Sequence, residues 1–334
     1  MFVKNITKWY NVNGWLRMDL SNITVEKELQ IVFMGTPYFA VPVLEGLIEN
    51  YKVRAVVTQP DRAKDKHGNL IETPVKKVAK EHTILVLQPN KIKEEYQEII
   101  DLKPDLIITC AYGQIIPKEL LDCPRLGCIN VHASLLPKLR GGAPIQRAIM
   151  NGYKETGITI MYMNERMDEG DIISKKSIEI LDTDTSSSLH DKLMLLGRDL
   201  LLETLPSIIN GTNSRERQEA SEATYAFNIK PEDERIDFNK NARQIYNQIR
   251  GLNSFPGAYC FFEGKRLKVF ESSLSNNYPM GLNGEITSVY DDGFGVKVGN
   301  GEIIFKVVQL EGKKKMNAKD FMNGFQTLLG RMLM

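Results

Sequence analysis

The chain has 334 residues, 42% hydrophobic and 25% charged, with a formal net charge of +1. That composition describes an ordinary globular protein of about two domains and excludes a field over the whole chain that would draw in nucleic acid unaided. No apolar run approaches the ~20 residues of a membrane helix, and the N-terminus has neither an apolar signal stretch nor a small-residue cleavage site, so a cytoplasmic protein away from membranes is expected.

Residues 1–28 carry Trp9, Tyr10 and Trp15 but no regular pattern. From Leu29 the pattern is regular. LQIVFMG (29–35) is a short apolar run ending in Gly, and residues 37–50 follow with apolar residues at helical spacing. KVRAVVTQ (52–59) reads as a strand; residues 73–82 read as a helix with Thr73 as N-cap and Pro74 at its first position. TILVLQ (83–88) is a strand, 91–102 an amphipathic helix, and DLIITCAYG (105–113) and GCINVHA (127–133) two further strands. Short apolar runs alternating with helices imply a parallel sheet covered on both faces. Sites in such sheets lie beyond the carboxyl ends of the strands, so the loops at Gly35-Thr36-Pro37, Ala111-Tyr112-Gly113 and Asn130-Val131-His132 should meet at one crevice.

Residues 156–164 and 171–180 alternate like half-exposed antiparallel strands, joined by the acidic turn ERMDEGD. Residues 185–211 read as a long helix with a Ser-rich start and a Gly211 stop, which Pro206 kinks or ends early. A polar stretch follows, with a short strand near residues 223–226. After a helix over 241–252 come five short strand-like runs divided by Gly and Asp turns, the spacing of a small barrel of the oligonucleotide-binding type. This last part is modestly basic. The expected domains are an extension (1–28), a catalytic domain (29–211), a linker (212–228) and a small β domain (229–334).

Asn130 and His132 lie two apart on one strand and so share a face. A carboxamide and an imidazole there can donate to an oxygen that becomes negative, or shuttle a proton; a satisfied histidine closing a strand is the equal alternative. Asp168, in the acidic turn, offers a carboxylate that could reach His132; a solvated turn acid is the simpler reading, and Glu169 and Asp171 compete for the role. Arg62, Lys64 and Lys66, in the charged loop 59–77, fit contact with a polyanion or merely a solvated loop. The four cysteines, Cys110, Cys123, Cys128 and Cys260, form no C-x-x-C pair and read as free thiols, and no metal-ligand spacing occurs. The chain lacks G-x-G-x-x-G after its first strand, a G-x-x-x-x-G-K-[ST] loop and a G-x-S-x-G elbow. Dinucleotide redox chemistry, nucleotide triphosphate hydrolysis and a Ser134 nucleophile are disfavoured.

In order along the chain, MGTPYFAVPVL, VVTQPDR, AYGQIIPKELL, LGCINVHASLLPKLRGGAPIQRAI, TGITIMYMNERMDEGDI and QLEGKKKM resemble blocks of the methionyl-tRNA formyltransferase family, over about residues 29–323. The resemblance implies a Rossmann-like catalytic domain and an oligonucleotide-binding-type barrel. It implies formyl transfer from 10-formyltetrahydrofolate to the amino group of methionyl initiator tRNA, without a metal, by an enzyme expected to be monomeric. By position, Asn130, His132 and Asp168 match the catalytic trio, and Ser134, Leu135, Leu136 and Pro137 the folate-binding segment. Phe39 joins Leu135 and Leu136 as an expected apolar contact for the pterin. Arg62 and its neighbours Lys64 and Lys66 match a loop that enters the acceptor stem, although the loop lacks the family's Gly-rich basic run. Lys313, Lys314 and Lys315 are expected phosphate contacts. The extension matches no block, and Met18 would be the family's more typical start. Two other readings are a formyltransferase acting on an amino-sugar nucleotide and an RNA-binding module with a relict site.

Overall fold

The computed structural model describes residues 28–334 apart from 63, 65 and 66, and the backbone of two short stretches before them. These stretches, β1 (Trp9–Val12) and β2 (Trp15–Met18), pair antiparallel. Residues 1–8, 13–14 and 19–27 of the expected extension lie outside the described residues.

The first domain is a seven-stranded sheet in the order β5-β4-β3-β6-β7-β8-β9. Its chain order is β3 (Ile31–Gly35), α1 (Val41–Asn50), β4 (Val53–Val57), α2 (Pro74–Glu81), β5 (Leu85–Leu87), α3 (Gln97–Asp101), β6 (Leu106–Cys110), α4 (Lys118–Leu121), β7 (Cys128–His132), α5 (Pro144–Met150), β8 (Glu155–Tyr162), β9 (Ile172–Glu179) and α6 (Ser186–Ile209). The five strands β3 to β7 run parallel. Both faces are covered: Ile31, Phe33 and Ile108 pack with α1 and α6, while Val32, Met34 and Ile107 pack with α4. That is why these strands are apolar throughout rather than alternating. The chain leaves β3 first towards β5 and then returns to β6 and β7, which opens a crevice at the C-terminal ends of β3 and β6. Hydrogen bonds join two of the expected loops there, with the loop after β4 as the third member: Thr36 Oγ1 donates to the Tyr112 carbonyl at 3.1 Å, and Gln59 bonds both Thr36 and Tyr112 at 3.2 Å.

Four local readings change. Residues 91–96 are turns and only α3 is helical; Ile92 N donates to Gln114 Oε1 at 2.8 Å. β8 is buried from Thr156 to Tyr162 rather than half-exposed. Its outer face is overlain by the segment after β7, and a Cβ on Gly157 would meet Leu135 Cδ2 at 2.6 Å. α6 continues through Pro206 to Ile209 without stopping early. The expected strand near 223–226 is a single parallel bridge, Tyr225 with Arg140.

After α7 (Pro231–Glu234) and α8 (Ala242–Gly251) comes the second domain's antiparallel sheet, β10 (Ala258–Phe262), β11 (Lys265–Leu274), β14 (Gly301–Leu310), β13 (Gly293–Val298) and β12 (Ile286–Tyr290) in spatial order. β15 (Met316–Asn317) pairs with β14 and leads into α9 (Ala318–Met322). The two edges are linked through the C-terminal segment, where Leu333 bridges Phe262 and Met332 bridges Glu285. The result is a small barrel around Phe262, Phe294 and Phe305.

β8 runs antiparallel to β7 with His132 opposite Thr159, and Glu155 pairs with Glu179 of β9. The end of β9 and the start of α6 therefore lie at the crevice end of the sheet. The second domain docks there. Arg250 Nη1 donates to the carbonyls of Leu181 and Asp184 at 3.0 and 2.9 Å, Tyr246 donates to the Asp182 carbonyl at 2.8 Å, and Arg147 of α5 grips Asp233 through two bonds of 3.0 and 2.6 Å.

Candidate active site

β7 carries Asn130 and His132 on one face, beside β6, with Thr109 directly opposite Asn130. Thr109 Oγ1 donates to Asn130 Oδ1 at 2.8 Å. The carboxamide oxygen is thereby turned inward and its Nδ2 amine is left to donate towards the crevice. His132 is buried, with Nε2 3.1 Å from the Leu139 carbonyl. A carbonyl only accepts, so Nε2 carries a proton. The other nitrogen, Nδ1, lies 3.7 Å from Asp168 Oδ1, close enough for an ion pair and too long for a hydrogen bond. Such distances close when a reaction complex forms.

Asp168 is held with care. Its φ is +54°, a left-handed conformation that Asp adopts more readily than most residues. Its second oxygen, Oδ2, accepts from the Gly141 backbone N–H at 2.9 Å. Gly141 itself sits at φ +119°, and a Cβ there would come 2.8 Å from the Ala226 carbonyl. Gln218 Nε2 donates to the carbonyls of Asp168 and Gly170, both at 2.8 Å, while its Oε1 accepts from the buried Arg140 at 3.0 and 2.8 Å. Arg140 also pairs with Glu169 at 3.2 Å. Of the three acids that compete for the role, Asp168 faces His132 and Glu169 faces Arg140.

The segment after His132 lies across β8. Ser134 and Leu136 are buried; the Ser134 carbonyl accepts from Thr159 Oγ1 at 2.7 Å, and Leu136 packs with Met161 and Ile172. Leu135 and Pro137 are half-exposed and border a cavity of about 420 Å³, edged by Lys138, Lys154 and Lys175. Asn130, His132 and Asp168 do not border this cavity. Phe39 is 6% exposed, packed in the first core with its ring edge-on to His190 at 5.2 Å. Arg62 and Lys64 are exposed on the loop after β4, and Lys66 lies outside the described residues. Lys313, Lys314 and Lys315 are exposed in the turn between β14 and β15, with Lys315 Nζ 4.6 Å above the Phe270 ring. Burial pushes the Cys110, Cys128 and Cys260 thiols up, so these are packed thiols rather than nucleophiles.

Thr109, Arg140, Gly141 and Gln218 do not stand out in the sequence as site residues. Two adjacent glycines after an arginine, Arg140-Gly141-Gly142, are a visible sign of a strained turn. Gln218 lies in a stretch without periodicity and carries no signal at all.

The parallel sheet with an amide and an imidazole at one strand end and a carboxylate beside them, joined to a small barrel, is that of a two-domain formyltransferase, as the family models show. Residues 29–205 match the formyl transferase family model, and residues 228–326 match that of the formyl transferase C-terminal domain. The chain belongs to the methionyl-tRNA formyltransferase family. It is 50% identical over 308 residues to methionyl-tRNA formyltransferase of Bacillus subtilis (strain 168), across 91% of this chain and 97% of that one. It is 48% identical over 308 residues to methionyl-tRNA formyltransferase of Staphylococcus aureus (strain MW2), across 91% and 99%. The fold is also similar to that of WlaRD, a sugar 3N-formyl transferase solved in the presence of dTDP and 5-N-formyl-THF, with a TM-score of 0.65 and 22% identity over 86% of this chain and 100% of that one. It is thus an enzyme of formyl transfer.

Proposed function

We propose that the chain moves the formyl group of 10-formyltetrahydrofolate to the α-amino group of methionyl initiator tRNA. The observation that supports this most is the convergence of Asn130, His132 and Asp168 at the end of β7, in a chain of this family. The neutral amine attacks the formyl carbon, forming a C–N bond while the carbonyl oxygen becomes an oxyanion. Collapse then breaks the bond from that carbon to the folate nitrogen, which gains a proton as the amine loses one. Asn130 Nδ2 donates to the oxyanion, and the His132 ring beside it, bonded through Nε2 to the Leu139 carbonyl and facing Asp168 through Nδ1, polarises the site. One such donor supplies about 2.7–4 kcal/mol of transition-state stabilisation. Asp168 orients the ring and takes the amine's proton through a water. Ser134, Leu135, Leu136 and Pro137 seat the donor, the first and third by fixing the segment and the other two by contact. Arg62 and Lys64, with Lys66, guide the acceptor stem; Lys313, Lys314 and Lys315 bind phosphates. The enzyme works as a monomer in the cytoplasm.

The test is formyl transfer from 10-formyltetrahydrofolate to methionyl initiator tRNA, run beside an amino-sugar nucleotide acceptor. Formyl-methionyl-tRNA as the product is the expected result. Transfer only to the sugar, or tRNA binding without turnover, would overturn the proposal.

A further inference from the structure

Two large aromatic side chains stand exposed beside the catalytic loop. Tyr225 is 51% and Phe227 67% exposed. They flank Ala226, which is fully buried. Residues two apart on an extended segment project to the same side, and the two rings stack with centroids 5.7 Å apart and planes 7° from parallel. The segment that carries them is pinned to the loop that builds the site. Arg140 N donates to the Thr224 carbonyl at 2.9 Å, Ala226 N to the Arg140 carbonyl at 2.7 Å, and Ala143 N to the Ala226 carbonyl at 3.0 Å. Arg147 Nε holds the Phe227 carbonyl at 3.1 Å. Within this loop the Leu139 carbonyl accepts from His132, and Gly141 N–H donates to Asp168. The aromatic pair thus stands on a segment hydrogen-bonded to the same loop that contacts His132 and Asp168.

We infer that Tyr225 and Phe227 form a stacking platform for the unpaired nucleobases at the 3′ end of the acceptor tRNA. This rests on methionyl-tRNA being the acceptor. The methionyl ester hangs from the terminal ribose, so placing its amine at Asn130, His132 and Asp168 brings the terminal bases within a nucleotide of the trio. Those bases are single-stranded, and every base offers a π-face to an aromatic ring without regard to sequence. The exposed Lys138, next to Leu139, supplies an ammonium for the accompanying phosphates. An aromatic pair left in water on a pinned backbone has its ordering entropy already spent, which suits a positioning element.

The experiment compares the unaltered protein with Tyr225→Ala, Phe227→Ala, the double variant, and Tyr225→Phe with Phe227→Trp. Each lost stack should raise KM for methionyl-tRNA by about tenfold or more. KM for the folate donor should stay unchanged, kcat should fall less than KM rises, and the aromatic replacements should keep the original KM. In parallel, 2-aminopurine at the tRNA 3′ terminus should be quenched on binding the unaltered protein, a measurement independent of any variant's folding. If the unaltered protein formylates methionyl-tRNA but the double variant keeps its KM, the platform is wrong. It is equally wrong if the 2-aminopurine signal is unmoved, or if the aromatic replacements fail as badly as alanine. A self-association of the protein abolished by the double variant would assign the patch to a second copy instead. An unaltered protein that does not formylate methionyl-tRNA would refute the acceptor itself.

Discussion

Thr109 decides which way the Asn130 carboxamide faces. Its hydroxyl donates to the amide oxygen at 2.8 Å and so leaves the amide NH2 to face the crevice. Thr109→Val keeps the shape and removes the donor. It should lower kcat about tenfold, the worth of about one neutral hydrogen bond, with KM for the donor unchanged, while Thr109→Ser keeps the rate. Steady-state kinetics on both variants would show it, and an unaffected valine variant would mean that the amide is oriented by something else. Gly141 performs the matching task for Asp168. An alanine there would take a left-handed φ with its Cβ 2.8 Å from the Ala226 carbonyl. The backbone would shift and withdraw the N–H from Asp168. We expect Gly141→Ala to lose about 1–3 kcal/mol of stability and a large part of turnover, read by thermal unfolding beside kcat; unchanged kcat would break the link between this N–H and the carboxylate.

At the scale of elements, the domains are tied where α5 meets α7. The Arg147 guanidinium beside Asp233 holds its carboxyl below the usual carboxylate range. A carboxyl with a lowered folded-state value adds stability that is fully present above its unfolded value, about 3.9, and is lost as pH falls through the folded value. Asp233→Asn should therefore be less stable than the original at pH 7 by about 1–2 kcal/mol, within the range for hydrogen bonds to charged groups. The gap should close in acid, as measured by denaturant unfolding across pH; a gap independent of pH would exclude the charge as its cause. Much of the element order was legible, because buried parallel strands and helices with Thr73-type caps write their period into the sequence; Thr73 does accept from Lys76 N at 3.3 Å. Along β8 a partner distant in sequence overrides the local pattern: Leu135 covers a face that Gly157 and Thr159 make look polar. Asn130 and His132 stood out by spacing on one strand. Asp168, on the turn between two later strands, was one of three competing acids until the family resemblance singled it out, and Gln218 was reachable by neither route.

On the scale of the whole molecule, a chain with net charge +1 must concentrate its basic groups to hold a polyanion. The exposed Lys313, Lys314 and Lys315 do so at a barrel turn. Each phosphate neutralised contributes about 0.7–0.9 to the slope of log affinity against log salt. Replacing all three by Gln should weaken tRNA binding, flatten that slope by about 2–3 and leave kcat at saturating tRNA intact; an unchanged slope in a salt titration would remove the turn from the interface. The central claim is that the Asn130 amide stabilises a negative oxygen during formyl transfer. Single-turnover transfer from 10-formyltetrahydrofolate to methionyl initiator tRNA tests it most directly, with the unaltered protein against Asn130→Ala. The predicted result is a rate lower by about 10²–10³ in the variant, with donor affinity the same. A variant that transfers at the original rate, or that loses only donor affinity, would contradict it.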